Sequence, residues 1–136
     1  MSIFRDQRDF MRACDQMFSE GLNIETSLWG TLIREEYNEL FKALRDFQQQ
    51  PVLNHKAEVA KEAIDLIYVI AGLLNNLEIP ADEIWLAVHD SNMAKVDPRA
   101  GKVLKRHDGK VIKPEGWQAP DILKILLEHH NANHKS

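Results

Sequence analysis

The chain has 136 residues, enough for one domain with a real core, and its 44% hydrophobic and 28% charged composition is that of an ordinary globular protein. One cysteine, Cys14, excludes an intrachain disulfide and a cysteine-built zinc site. The net charge of −4 argues weakly against a nucleic-acid binder, and the longest apolar run, about twelve residues with Asp65 inside it, is too short to cross a bilayer. The opening MSIFRDQRDF turns polar at the fifth residue, unlike a secretory leader, so the expected location is the cytoplasm.

In chain order, apolar residues recur at helical spacing over 3–20 (Ile3, Phe4, Phe10, Met11, Cys14, Met17, Phe18), which predicts a first helix. The same spacing over 26–48, through Leu28, Trp29, Leu32, Ile33, Tyr37, Leu40, Phe41 and Leu44, predicts a second, stopped by Pro51. Asn54 is the expected cap of a third helix running to about Glu78. Pro80 and Asp82 open a fourth, to about Lys95. In the polar stretch 97–120, KVLKRHDGKVIK places Asp-Gly between two β-prone runs, a hairpin pattern. A short last helix is expected over 121–130, followed by a solvated tail that includes His129, His130 and His134. The expected fold is an all-α bundle of four main helices with a basic C-terminal arm, a small hairpin and a short final helix. The domain is expected to span 1–122, with 123–136 as the helix end and polar tail.

The acidic residues do not sit where solvated ones should. Helix two carries Leu28, Leu32, Glu35 and Glu39 on one stripe, and Trp29, Ile33, Glu36 and Leu40 on the next. Helix three carries Glu58, Glu62, Asp65 and Val69 on one stripe. From Ala63 to Leu74 every residue except Asp65 is apolar, aromatic or glycine, so Asp65 is expected to be buried. A buried carboxylate is costly unless it is paired or bound to a cation. The pairing partner would be an arginine such as Arg34 or Arg45; the cation would be a divalent metal. Carboxylates from two facing helices repel one another unless a metal sits between them, and helical bundles build metal sites in this way. All-oxygen ligation suits Mg²⁺ or Mn²⁺ and not zinc or copper. A di-iron bundle needs a histidine three residues after a glutamate, and none is present. The phosphate loops G-x-x-x-x-G-K-[ST] and G-x-G-x-x-G are absent too.

Residues 95–113 hold seven Lys or Arg against Asp97 and Asp108, a local charge of +5 that leaves −9 for the remainder. An acidic body with a basic arm suits a divided site, one part for metal and one for an anion. Trp29, Trp85 and Trp117 could stack on a base, but at helical spacing such rings are usually core or interface. Gly72, costly inside a helix, marks a close helix contact.

Glu35-Glu36-x-x-Glu39 and, 22 residues on, Glu62-x-x-Asp65 resemble the EExxE…ExxD signature of the all-α nucleoside triphosphate pyrophosphohydrolases. SNMAKVD at 91–97 and the following GKVLKRHDGKVIKPEGW resemble the MazG-like and phosphoribosyl-ATP-pyrophosphohydrolase-like branch. The likeness covers roughly residues 1–122. It implies hydrolysis of a nucleoside triphosphate between the α and β phosphates, with Mg²⁺, or Mn²⁺ as substitute, held by Glu36, Glu39, Glu62 and Asp65. Glu35 and Glu36 are the implied catalytic pair, Glu35 activating water or holding another metal. Asn92, Lys95, Lys110 and Lys113 are implied to meet the substrate phosphates. A homo-oligomer, a dimer or a dimer of dimers, is implied as well, with neither nucleic acid nor membrane as partner. Two other readings stand beside this one: a phosphoribosyl-ATP pyrophosphohydrolase of histidine synthesis, and a non-catalytic helical interaction module.

Overall fold

The computed structural model describes residues 1–14 and 25–135, with side chains from 28 onward after the gap. It is all-α apart from one two-stranded ribbon. The chain divides into two compact units, residues 1–79 and 80–136.

The first unit holds α1 (Ile3–Ala13), α2 (Glu25–Gln49) and α3 (Leu53–Asn76). Ser2 caps α1 by accepting from the Arg5 N–H, and Cys14 closes it. Of the 3–20 span that apolar spacing predicts, α1 covers Ile3–Ala13, and the part beyond Cys14, with Met17 and Phe18, lies outside the described residues. Pro51 ends α2, and after a three-residue connection, 50–52, the chain returns as α3, so the two long helices form an antiparallel hairpin. The cap of α3 is Val52 and not Asn54, and no side chain caps it. The helix starts early because Val52 is already extended after Pro51 and the His55 ring takes up the Gln50 carbonyl at 2.9 Å. At its other end α3 stops at Asn76, two residues before Glu78, which adopts φ 54°. A left-handed residue cannot continue a right-handed helix.

The seam between α2 and α3 is built by Trp29, Ile33, Glu36, Leu40 and Ala43, whereas Leu28, Glu35 and Glu39 on the neighbouring stripe are exposed. Trp29 lies over Gly72: a Cβ there would come within 2.5 Å of the indole ring. α1 packs on α3 through buried Met11 and Gln7. Asn75 Nδ2 donates to Gln7 Oε1 at 2.7 Å and to the Phe4 carbonyl at 2.9 Å, while its Oδ1 accepts from Arg8. These bonds satisfy the side-chain amide of Asn75 inside an otherwise apolar contact. Among the described residues nothing covers the outer face of α3, where Ile64 is 60% and Ile67 45% exposed.

The second unit holds α4 (Ala81–Met93), β1 (Val96–Asp97), β2 (Lys102–Val103) and α5 (Ile122–Asn133). α4 ends two residues before the expected Lys95, at the cap residue Ala94. The strands pair antiparallel, Val96 with Val103 and Asp97 with Lys102. Asp97 accepts from the Arg99 and Ala100 N–H groups and tightens their turn. The expected Asp-Gly turn forms, with Gly109 at φ 85° and Asp108 accepting from the Lys110 N–H. It closes only a single bridge, Lys105 with Val111, and no regular ladder. Asp121 caps α5 through the Lys124 N–H. The helix passes through His129 and His130 as far as Asn133, because nothing in HisHisAsnAlaAsn breaks it; His130 then stacks on His134 at 4.0 Å. Among the described residues no helix is long and apolar enough to cross a membrane.

Candidate metal centre

Two helices supply the centre. Glu36 projects from the inward stripe of α2, seven residues after Trp29; Glu62 and Asp65 project from α3. One carboxylate oxygen from each lies within 4.8 Å of the other two. Glu62 is buried, at 8% exposure. Glu36 Oε2 and Glu62 Oε2 are both buried and, among the described residues, accept no hydrogen bond. A buried carboxylate oxygen without a donor is an expensive arrangement for the apo protein. It is the arrangement a hard cation removes, and three oxygens converging from two helices are a donor set for Mg²⁺ or Mn²⁺.

The electrostatics agree. Burial pushes the Glu36 carboxyl above its ordinary range, and the charges of Glu39, Asp65 and Glu62 push it further, against a smaller opposing pull from Lys61. Glu39 is thus felt at the centre, although it does not belong to the converging three. It is exposed and lines a groove of about 390 Å³ whose walls also include Lys42, Asp46, Glu58, Lys61 and Glu62.

Asp65 is not buried as expected: its side chain is 44% exposed. It sits at the rim of the α2–α3 seam, beside the outer face of α3 that is exposed among the described residues. Its partner is neither Arg34 nor Arg45 but Lys61. The Lys61 Nζ donates to Glu62 Oε1 at 2.8 Å and lies 3.2 Å from Asp65 Oδ2. Hydrogen bonds to these two carboxylates hold the ammonium firmly in its charged form. The signal was present in the sequence, since Lys61 precedes Asp65 by four residues, a spacing that places the two on one helix face.

Lys61 therefore occupies oxygens that a metal would need. Lys61→Met is expected to tighten Mn²⁺ binding roughly three- to fivefold, the scale of one or two exposed ion pairs. Electron paramagnetic resonance of free Mn²⁺ measures this directly, and weaker binding in the variant would show that Lys61 supports the site instead of competing for it.

Glu35 is exposed on α2, outside the convergence. The remaining predicted residues lie in the second unit. Asn92, on α4, accepts from Lys95 Nζ at 2.8 Å. Lys95 and Lys113 both lie against the Trp117 ring, at 5.1 and 4.5 Å from its centroid. Lys110 is apart from them, exposed at the Asp-Gly turn.

None of the curated proteins matches the chain. The family model for phosphoribosyl-ATP pyrophosphohydrolase matches residues 11–92, more than half of the chain and a span that contains both acidic motifs. The all-α fold and the paired carboxylates of α2 and α3 are in keeping with that match. The chain belongs to the phosphoribosyl-ATP pyrophosphohydrolase family, within the all-α MazG-like superfamily of pyrophosphohydrolases, hydrolases that act on acid anhydrides.

Proposed function

We propose that the protein is a Mg²⁺-dependent nucleoside triphosphate pyrophosphohydrolase. It would cleave (d)NTPs between the α and β phosphates, yielding a nucleoside monophosphate and pyrophosphate, as a house-cleaning activity on the cytoplasmic nucleotide pool. The observation that carries this reading is the convergence of Glu36, Glu62 and Asp65, with two of their buried oxygens lacking a donor among the described residues.

In this reading Glu36, Glu62 and Asp65 hold the metal, and Glu39 completes the set from the adjoining exposed stripe. When bound, the metal offsets phosphate charge and lowers the pKa of a coordinated water. Glu35, exposed one residue before Glu36, either takes the proton of the attacking water or holds a second cation. Water adds to phosphorus, the α–β anhydride bond breaks, and pyrophosphate leaves. Lys95, Lys110, Lys113 and Asn92 meet the phosphate oxygens. A second copy of the chain covers the outer face of α3, where Ile64, Ile67, Tyr68 and Ile70 stand exposed. The active form is accordingly a homodimer or a dimer of dimers.

The second reading, phosphoribosyl-ATP as substrate, is favoured by the description of the matching family. One assay separates the two: pyrophosphate release with Mg²⁺ across the dNTPs, dUTP, the NTPs and phosphoribosyl-ATP, with an EDTA control and identification of products. Metal-dependent monophosphate and pyrophosphate from the triphosphates supports the first reading. Turnover of phosphoribosyl-ATP alone replaces it with the second, and silence on the whole panel rejects both.

A further inference from the structure

Trp117 is fixed from two sides within the second unit. Its indole Nε1–H donates to the Ser91 carbonyl at 2.8 Å, on the last turns of α4. Its backbone N–H donates to the Pro114 carbonyl at 3.1 Å, across a turn that Gly116 makes at φ 78°. The ring is half-buried, and two ammonium groups lie against it, Lys113 at 4.5 Å and Lys95 at 5.1 Å from the centroid. Both distances are inside the cation–π range of about 6 Å.

What these lysines lack is a counter-charge. Among the described residues no carboxylate pairs with either of them. The aspartates between residues 97 and 121 are engaged elsewhere: Asp97 with two backbone N–H groups, Asp108 with Arg106, Asp121 with the first turn of α5. An ion pair would order a lysine and cancel its charge. An aromatic face orders it and leaves the charge in place, with most of its three donors free. Lys95 uses one of them to orient Asn92. One indole thus gathers two flexible side chains into a preorganised dication, and the usual loss of lysine rotamer freedom on binding is already incurred.

We infer that Trp117 is a positioning residue: it holds Lys95 and Lys113, assigned above with Asn92 to the phosphate oxygens, so that the three can take a polyphosphate chain, such as that of a nucleoside di- or triphosphate, before any metal is bound. The inference rests on the phosphorylated-substrate reading above for its role, but its binding test needs no catalysis.

The test is calorimetric titration of the full-length protein with sodium tripolyphosphate in EDTA. Wild type is expected to bind. Trp117→Leu and Lys113→Gln are expected to weaken binding roughly tenfold each, and Trp117→Phe, which keeps a ring face, only about threefold. In the hydrolysis assay Trp117→Leu is expected to raise KM by about the same factor and to leave kcat nearly unchanged, as for an interaction already made in the ground state. Binding by Trp117→Leu within twofold of wild type overturns the inference, as does a Trp117→Phe loss as large as that of Trp117→Leu. Should Trp117→Leu fail to fold, the assigned Trp117 indole N–H resonance serves instead. It is expected to shift with tripolyphosphate in wild type and to need roughly tenfold more ligand for the same shift in Lys113→Gln; equal half-saturation in both, or no shift in either, rejects the site. Tripolyphosphate binding in this pattern without any nucleotide hydrolysis refutes the proposed reaction and leaves the site standing. Hydrolysis with KM unmoved in Trp117→Leu does the reverse.

Discussion

Glu36→Gln is expected to raise the melting temperature of the metal-free protein and to abolish metal-dependent turnover. Both effects have one cause. Glu36 is a half-buried carboxylate with a donorless oxygen, surrounded by the charges of Glu39, Asp65 and Glu62. Replacing it with a neutral amide of the same shape removes the repulsion and one proposed ligand together. Loss of a ligand that helps to offset phosphate charge amounts to several kcal/mol in the transition state, or about a thousandfold in kcat/KM. Asp65→Asn is expected to lose turnover similarly while the fold persists. Its stability should change less, because Asp65 is half exposed and already paired with Lys61.

The pH dependence has a definite sign. The folded-state pKa of Glu36 lies above its ordinary value of 4.5, so the folded protein binds this proton more tightly than the unfolded chain does. Ionised Glu36 therefore destabilises the metal-free fold, and the penalty grows as pH rises from the ordinary value through the raised one. In EDTA, the melting temperature of Glu36→Gln should match wild type near pH 4 and exceed it increasingly toward pH 8. Saturating Mg²⁺ should reverse the order, because only wild type gains from binding. Calorimetric scans of both proteins across pH, with and without Mg²⁺, check this. A Glu36→Gln variant less stable than wild type in EDTA at pH 8 would remove the argument that the carboxylates are held for a cation.

Gly72→Ala is expected to destabilise the protein by about 1–2 kcal/mol, even though alanine is the better helix former by about 1 kcal/mol. The added Cβ would stand 2.5 Å from Trp29 Cη2 and Cζ3 and 2.7 Å from Gln7 Nε2. Neither neighbour can give way cheaply. Trp29 is 6% exposed and Gln7 2%, and Gln7 is held by its bond to Asn75. Overpacking of this kind costs more than helix propensity returns, so the melting temperature should fall by roughly 3–6 °C. Trp29 and Glu36 share a stripe of α2, and Gly72 follows Glu62 on α3, so the Trp29–Gly72 contact also sets how closely the two acidic segments approach. Mn²⁺ affinity should fall along with stability. Trp29→Phe in the Gly72→Ala background should recover part of both, since a smaller ring leaves room for the methyl group. A higher melting temperature for Gly72→Ala would show that the two helices are farther apart than this contact requires.

Much of this was legible in the sequence, for local reasons. Helices α2 to α5 follow from apolar spacing and proline punctuation, which act within a few positions along the chain, although the cap expected at Asn54 is not used. The acidic motifs were equally visible, because spacings of three and four put residues on one stripe whatever the tertiary packing. Spacing cannot say which of two adjoining stripes turns inward, since each carried glutamates and leucines. Packing of Trp29 against Gly72 made that choice: it brought Glu36 into the α2–α3 seam and left Glu35 and Glu39 outside. Nor could the sequence place Asp65. Its surroundings in α3 are apolar all round, which reads as burial, but the outer half of that apolar surface has no partner among the described residues. Lys61 as its counter-ion and Trp117 as the gatherer of Lys95 and Lys113 depend on where side chains meet in space. The residue types, and the chemistry they permit, were set by the sequence alone; which oxygens converge, which charges remain unpaired and which face is left uncovered were decided by packing, because those are properties of contacts between distant segments.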